Sequence, residues 1–415
     1  MRLQRLGPGG RPAEVLRALH TRARRMLLPA PAALVGEWFG AAAVIAPHLH
    51  TQPVAPRAAF ASGHPDRPPA SGDPLIGGGW IGYLGYPDGV GRLPAAAGGW
   101  TDSVLRLDTG GCWWYETLTD TPCPPDVAAA LDPHTEPGHW SMRWTPPDRA
   151  SHHHNVEACK DAIRAGEVYQ SCICTQFTGQ LTGRPADFFA DGIDRTHPTR
   201  AAYLQGPWGA VASLSPELYL ARNGTTVTSS PIKGTLPLTA DPAALRVSAK
   251  DVAENVMIVD LVRNDLGRLA VTGTVTVTDL LRVRPAPGVW HLVSTVQAQI
   301  PPATTSAELF EASFPPASVT GCPKTRARQL ISGWEPQPRG VYCGTVGMSS
   351  PLAGLELNVA IRTVEFTPTG GAVLGVGGGI TIDSDPTAEW QECLDKARSI
   401  IELTPTRAPA LTPRP

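Results

Sequence analysis

Successive strand-like segments without a helix between them are the feature that most constrains the fold. Residues 202–206, 209–222 and 225–230 are rich in β-branched and aromatic residues and are separated only by short turns. A helical pattern follows at 243–267, where valines recur every three or four positions, at Val252, Val256, Val259 and Val262. Because strands and helices do not alternate strictly, the sequence predicts an α+β fold rather than a doubly wound parallel sheet.

Other signals divide the chain. Residues 155–170 form a helical pattern that ends at Gly166, and a final helix over 387–403 begins behind the Asp385–Pro386 start signal. Residues 116–150 hold two proline-rich stretches and are interpreted as a linker or long loop. We therefore predict an N-terminal portion at 1–115, a catalytic domain at 151–403 and a disordered tail at 404–415.

Composition excludes several classes of function. The formal net charge of −2 gives no indication of a nucleic-acid surface. No apolar run reaches the roughly 18 residues that a membrane span needs. No signal peptide is recognisable, and none of the eight cysteines forms a CxxC pair. We expect a cytoplasmic protein with reduced thiols that contacts neither membrane nor nucleic acid.

Two pairs of carboxylates have helical spacing. Asp251 and Glu254 are three residues apart, as are Glu389 and Glu392, so each pair projects from one side of its helix. Facing pairs could hold a hard cation through oxygen ligands, although two solvated helix faces would give the same pattern. The second pair follows the glycine-rich run 375–379, whose backbone amides could bind an anion. An anionic ligand bridged to carboxylates favours Mg²⁺, which readily accepts a substrate oxygen.

The segment SSPIKGTLP, residues 229–237, places Lys233 between an isoleucine and a glycine, with Pro231 and Pro237 on either side. The prolines predict a rigid turn. A lysine held there could be incidental, could bind an anion, or could be a nucleophile.

Eight motifs in order resemble the chorismate-utilising enzymes. That family includes anthranilate synthase, aminodeoxychorismate synthase component I, isochorismate synthase and salicylate synthase. The motifs are SPEL (215–218), SSPIKGTLP (229–237), AKDVAENVMIVDLVRNDLGR (249–268), WHLVSTV (290–296), SVTGCPKTRA (318–327), GVYCGTVG (340–347), IRT (361–363) and GVGGGITIDSDPTAEWQE (375–392). The resemblance implies two packed β-sheets flanked by helices, with the site between the sheets. It is strong over about 150–403 and loose before residue 115.

The resemblance also implies roles for individual residues. Glu254 and Glu392 match the family's Mg²⁺ ligands, with Asp251 and Glu389 as supporting carboxylates. Glu217 matches the general acid near the C4 hydroxyl of chorismate, and His291 matches a histidine beside the ring. The positions that match the substrate-binding set are Thr320, Gly321, Tyr342, Arg362, Gly378 and Gly379.

Two positions discriminate among family members. Members that add water to chorismate carry a lysine base where this chain has Gln170, whereas members that add ammonia resemble this sequence there. Anthranilate synthases resemble PIAGT where this chain has PIKGT, and the aminodeoxychorismate synthases resemble PIKGT. The resemblance therefore implies that Lys233 attacks C2 as a neutral amine and that ammonia then replaces it by attack at C4, although Lys233 could instead be only a carboxylate anchor.

The ammonia needs a source. No cysteine lies in the glycine-rich elbow of a glutaminase, so we expect a separate glutamine amidotransferase subunit as partner. A further protein, an aminodeoxychorismate lyase, would convert the product to 4-aminobenzoate. Two alternatives stay open: anthranilate synthase component I, with Lys233 a local deviation, and a non-catalytic chorismate-binding subunit.

Overall fold

The computed structural model describes residues 1–61, 75–133, 138–286 and 289–406. Its described helices are α1 (Pro12–Arg25), α2 (Pro125–Ala128), α3 (Arg149–Arg164), α4 (Pro185–Thr196), α5 (Ala244–Val247), α6 (Ala249–Gly267), α7 (Ser306–Ser313), α8 (Lys324–Trp334) and α9 (Pro386–Ile401). None of these helices is both long and apolar enough to cross a membrane.

The strands outnumber the helices. The first eleven are β1 (Arg2–Gly7), β2 (Ala32–Trp38), β3 (Ala41–Ala46), β4 (Gln52–Pro53), β5 (Gly79–Leu84), β6 (Ala96–Thr101), β7 (Ser103–Leu107), β8 (Trp113–Thr117), β9 (Ser141–Thr145), β10 (Gln170–Thr182) and β11 (Arg200–Gly206). The others are β12 (Gly209–Ser215), β13 (Leu218–Asn223), β14 (Thr226–Ser230), β15 (Ile232–Pro237), β16 (Thr276–Ala286), β17 (Val289–Gln299), β18 (Gly321–Cys322), β19 (Thr345–Ser350), β20 (Gly354–Asn358), β21 (Thr363–Phe366) and β22 (Gly371–Ile380).

These strands form two sheets. The first has the order β1-β8-β7-β3-β2-β11-β12-β21-β22-β10-β18, with β9 also paired to β10. The second has the order β15-β17-β14-β13-β20-β19-β5-β6-β4, with β16 also paired to β17. The strand pairs are antiparallel, as in β10 with β22 and β15 with β17. The predicted α+β fold with two packed sheets is therefore confirmed.

Alternating side chains along the first sheet separate two cores. On β2, Ala33 packs in a cluster with α1 and α4, whereas Leu34 packs in a cluster with Ile81 of β5 and Val346 of β19. The second of these clusters lies between the two sheets, and the first lies under the helices. The strands of residues 1–115 contribute to both sheets, so this region is built into the same layers as the later strands.

The predicted linker differs in detail from the structure. The segment 116–150 contains β9, which pairs with β10 from Thr145 to Ser141, so this part of the segment is ordered within the first sheet. Of the predicted disordered tail, residues 407–415 lie outside the described residues.

Candidate active site

Lys233 lies on β15, an edge strand of the second sheet, and not in a turn. The pairing of β15 with β17 shifts register between Ile232 and Thr235, so Lys233 and Gly234 form a bulge. Gly234 has a φ of 84°, which favours glycine, and an added Cβ would lie 3.1 Å from Asp251. Bulges redirect side chains. The predicted rigid turn is therefore wrong, because β17 offers the segment a partner strand.

The redirected amine lies beside other predicted site residues. Lys233 Nζ donates a hydrogen bond to the carbonyl of Ser318 at 3.1 Å. A methyl group placed on Gly379 would lie 3.5 Å from Lys233 Nζ and 3.6 Å from Glu254 Oε2. The same position would lie 3.7 Å from Gln170 Oε1. Residues from both sheets and from α6 thus converge where glycine leaves space open.

The glycine-rich run 375–379 leaves this space open because its glycines have no side chains. Residues 375–379 lie in extended strand β22, which pairs with β10, and none of them has a positive φ. The backbone therefore lacks the alternating geometry of an anion-binding amide nest that the sequence led us to expect. At Gly375 an added Cβ would lie 2.3 Å from the Tyr342 ring, and at Gly378 it would lie 3.1 Å from Glu389 Oε2.

Gln170 begins β10 and pairs with Cys322 of β18. Its side chain is fully buried, yet among the residues that the structure describes neither its amide nitrogen nor its amide oxygen has a hydrogen-bond partner. An unsatisfied buried amide is costly and is unusual in folded proteins. We interpret the unpaired amide as a group that is available to a ligand.

Glu217 lies close enough to Lys233 for the charge of that lysine to act on its carboxyl group. Burial raises the pKa of Glu217 to about 7, although a hydrogen bond from the Ser318 side chain and the charge of Lys233 oppose that rise. Its backbone amide is held by Ser215 Oγ at 3.2 Å. A carboxyl group with this pKa is partly protonated near neutral pH and can act as a general acid.

The two carboxylate-bearing helices face each other. Ser248 caps α6 and Asp385 caps α9, which fixes the first turns of both helices. Glu389 Oε1 accepts a hydrogen bond from Ser384 Oγ at 2.7 Å. Burial raises the pKa of Glu254, and the negative charges of Glu392 and Glu389 on α9 add to that rise, whereas nearby lysines oppose it. The structure therefore brings Glu254, Glu389 and Glu392 together, whereas Asp251 packs against Gly234.

The residues of this cluster fit a divalent cation. Glu254 Oε1 and Glu389 Oε2 are buried and accept no hydrogen bond from any described part of the chain. Unpaired carboxylate oxygens are the ligands that Mg²⁺ prefers. Within the described ranges, no three acidic, histidine or cysteine side chains are already arranged to hold an ion without rearrangement. Lysines lie among the carboxylates instead.

Thr320 and Gly321 connect the site to β10. Thr320 is fully buried, its hydroxyl donates to the carbonyl of Pro316 at 2.9 Å, and its own carbonyl accepts from the Cys172 amide at 2.8 Å. Gly321 has a φ of 148°, and an added Cβ would lie 2.6 Å from the Gln170 carbonyl. A side chain at Gly321 would therefore push this loop away from Gln170.

Three further predicted site residues, His291, Arg362 and Tyr342, have different surroundings. His291 on β17 shares a hydrogen bond with Thr235 Oγ1 at 3.0 Å, and burial, with the charge of Arg362, lowers the pKa of His291 to about 4. Its ring is therefore neutral at pH 7. Arg362 has a φ of 51° and donates to Ser399 Oγ at 3.3 Å, and burial lowers its pKa. Burial raises the pKa of Tyr342, so its phenol stays protonated.

Sequence reasoning identified Lys233 but missed two further lysines of the site. Lys396 donates to Glu392 Oε1 at 2.6 Å and to the Gly377 carbonyl at 2.8 Å. Lys250 lies within 3.9 Å of Glu254 Oε1. Each lysine is four residues from a predicted metal ligand on the same helix, a spacing that could have identified both.

A supporting residue was also missed. Arg339 is buried and donates to the carbonyls of Val319 at 2.7 Å and Cys172 at 3.0 Å, while Glu335 pairs with its guanidinium at 2.7 Å. It thus joins the Thr320 loop to β10. Nothing in its local sequence distinguishes it from a surface arginine.

The chain is similar in sequence to known proteins. The sequence pattern described as chorismate binding enzyme matches residues 108–402. Aminodeoxychorismate synthase component 1 of Escherichia coli (strain K12) is 39% identical over 251 residues, which are 59% of this chain and 55% of that protein. The chain thus spans little more than half the length of that relative.

Two further matches cover more of the chain. An anthranilate synthase component I-like protein of Synechocystis sp. is 32% identical over 360 residues, which are 78% of this chain and 72% of that protein. The crystal structure of anthranilate synthase component I from Streptococcus pneumoniae TIGR4 has a TM-score of 0.69 and 24% identity and covers 90% of both chains, which supports the fold. With most of its length matched, the chain belongs to the chorismate binding enzyme family.

Proposed function

We propose that this chain is the chorismate-binding component of an aminodeoxychorismate synthase, which replaces the C4 hydroxyl of chorismate by ammonia. The observation that carries the proposal is the amine of Lys233, which a β-bulge directs toward Gly379, Glu254 and Gln170. Relatives named aminodeoxychorismate synthase component 1, at 39% and 40% identity, support this assignment within the family.

The first step is a displacement by the protein. After the ammonium group of Lys233 gives a proton to solvent, its amine forms a bond to C2 of chorismate, the two ring double bonds shift, and the C4–O bond breaks. Glu217, whose pKa of about 7 leaves it partly protonated, donates the proton with which the hydroxyl leaves as water. Covalent catalysis of this kind divides one difficult substitution into two easier ones.

The second step releases the lysine. Ammonia forms a bond to C4, the double bonds shift back, and the C2–N bond breaks with its electron pair returning to Lys233. The amide oxygen of Gln170, which has no hydrogen-bond partner among the described residues, would accept a hydrogen bond from ammonia. Glu217 regains a proton from solvent, so the reaction consumes one ammonium ion and releases one water.

The acidic cluster would hold the metal. Glu254 and Glu392, with Glu389 in support, would bind Mg²⁺, which would supply positive charge for a carboxylate of chorismate. Asp251, the other predicted supporting carboxylate, packs against Gly234 instead. Arg362 and the hydroxyl of Tyr342 would bind and orient the anionic substrate. The neutral ring of His291 would contact the substrate ring without adding charge.

The ammonia would come from a partner. The name component 1 of the Escherichia coli relative implies a second component, and we propose a glutamine amidotransferase for that role. A separate lyase would then form 4-aminobenzoate, with folate synthesis as a destination.

Anthranilate synthase is the second candidate, because the Synechocystis relative has an anthranilate synthase component I-like name. Product analysis from chorismate, Mg²⁺ and ammonium separates the two. Aminodeoxychorismate that needs an added lyase before 4-aminobenzoate appears would support the proposal. Anthranilate formed with pyruvate in the absence of any lyase would refute it.

The pH profile tests Glu217. Only its protonated form can donate, so the contribution of Glu217 to kcat/KM should fall as pH rises through about 7. Glu217→Gln should reduce activity by about 10²-fold or more, and its residual rate should lack this decline. Rate measurements between about pH 6 and about pH 8 on both proteins check this. A decline that persists in the variant would assign the titration to another group.

Gln170 tests the choice of nucleophile. Gln170→Lys would place a base beside Gly379, so products of water addition at C2 should rise about tenfold, below the ~10² of an optimally placed base. Gln170→Met, which removes the amide without adding a base, is the matched control. Chromatography of the products from chorismate measures the change. Water addition that already dominates in the wild type would contradict the role given to Gln170.

A further inference from the structure

Lys250 holds its ammonium group among the three carboxylates of the cluster. Its Nζ lies 3.1 Å from Glu389 Oε1, 3.8 Å from Glu392 Oε2 and 3.9 Å from Glu254 Oε1. These carboxylates come from α6 and α9, so the ammonium joins the two helices. The positive charge of Lys250 thus lies where the proposed divalent cation would bind.

The three lysines of the site are held differently. Lys396 donates a hydrogen bond to a neutral acceptor, the Gly377 carbonyl, at 2.8 Å, and Lys233 donates one to the Ser318 carbonyl at 3.1 Å. Within the part of the chain that the structure describes, Lys250 makes one hydrogen bond, to Glu389, and its side chain is 48% exposed. Lys250 can therefore swing into solvent without breaking a bond to the backbone.

Helix stability does not explain the position of Lys250. It lies in the first turn of α6, two residues after the Ser248 cap. A cation there opposes the helix macrodipole, whose positive end is at the N-terminus. The neighbouring carboxylates compensate for this unfavourable position, so their charge accounts for the placement of the lysine.

We propose that Lys250 is a displaceable internal counter-ion, which neutralises the cluster of Glu254, Glu389 and Glu392 and competes with the divalent cation for it. This inference rests on the proposed metal site. The ammonium would keep α6 and α9 together in the metal-free protein. The cation would then bind with the lysine displaced, so Lys250 would lower the affinity for the metal.

Direct binding of Mn²⁺, measured by titration calorimetry and by the paramagnetic signal of free Mn²⁺, tests this without turnover. Lys250→Met should bind Mn²⁺ about tenfold more tightly than the wild type, a modest gain because solvent screens a half-exposed charge. In chelator, the variant should unfold at a lower temperature than the wild type, because the carboxylates then repel each other. Added Mn²⁺ should reduce the difference in unfolding temperature between the variant and the wild type.

Arg263→Met is the matched control. Arg263 lies on the same helix, is 51% exposed and pairs with Asp260 at 2.7 Å. It is thirteen residues beyond Lys250, or about 20 Å along the axis. Its removal deletes the same charge and should leave Mn²⁺ affinity unchanged. Lys250→Gln repeats the test if the methionine variant folds poorly.

The outcomes separate the two proposals. Equal or weaker Mn²⁺ binding by both Lys250 variants, with binding by the wild type intact, would overturn the counter-ion role and leave the metal site standing. Binding by neither the wild type nor the variants would contradict the metal site, and with it the role of Lys250. An equal gain in Mn²⁺ affinity in Arg263→Met would mean that the effect comes from overall charge, and this would also overturn the proposal.

Discussion

Replacing Lys233 by alanine is expected to reduce aminodeoxychorismate formation by about 10²-fold or more, the scale of losing a positioned catalytic group. The fold should persist, because Lys233 lies in a bulge of an edge strand and, within the described ranges, its amine makes one hydrogen bond, to the Ser318 carbonyl. Loss need not be complete, since ammonia could attack the bound substrate directly. Steady-state rates with ammonium, alongside circular dichroism, measure both effects.

Lys233→Arg separates nucleophilic from electrostatic action. Arginine keeps the positive charge beside Glu217 and Glu254 but has no neutral amine near physiological pH. If Lys233 is the nucleophile, the arginine variant should lose about as much activity as the alanine variant. Near-wild-type activity in Lys233→Arg would make the residue an electrostatic element only.

Glu392→Gln is expected to abolish measurable turnover. The change removes a negative charge with little change in volume, so a cation held jointly by α6 and α9 loses a ligand. Lys396, which donates to Glu392 Oε1 at 2.6 Å, would also lose its charged partner. Rates over a range of Mg²⁺ concentrations, together with direct Mn²⁺ binding, distinguish a lost metal from a lost fold.

Asp395→Asn is the control for Glu392→Gln. Asp395 is on α9, three residues later, is 50% exposed and pairs with Arg398 at 2.5 Å. Its neutralisation removes the same charge from the same helix and should leave turnover within about twofold, as expected for an exposed pair. Activity of Glu392→Gln that matches Asp395→Asn, or full wild-type activity in chelator, would reject the metal assignment.

The sequence predicted the elements of the fold better than the contacts of the site. Helices α6 and α9 were predictable because their valine spacing and Asp385–Pro386 start are local signals. The strand at Lys233 was not, because Pro231 and Pro237 favour a turn until β17 supplies a partner. Tertiary pairing overrode the local preference.

The candidate site also combines residues that local sequence identified with surroundings that it did not predict. The eight motifs that occur in the order of the family identified Glu217, Glu254 and Glu392, whose roles remain predictions. The surroundings that give Glu217 a pKa of about 7 depend on burial by distant segments, which no local pattern encodes. Asp251 has the same helical spacing as Glu389, yet it packs against Gly234, because Gly234 lies in a bulge that sequence spacing does not reveal.

Trapping the covalent adduct on Lys233 tests the central claim most directly. The enzyme is incubated with chorismate and Mg²⁺ in the absence of ammonia, quenched and digested, and the peptide that contains Lys233 is weighed by mass spectrometry. We predict a gain equal to the mass of chorismate less one water on that peptide, absent from Lys233→Ala and removed when ammonium is added before quenching. An unmodified peptide in wild-type enzyme that still turns chorismate over with ammonium would contradict the covalent mechanism.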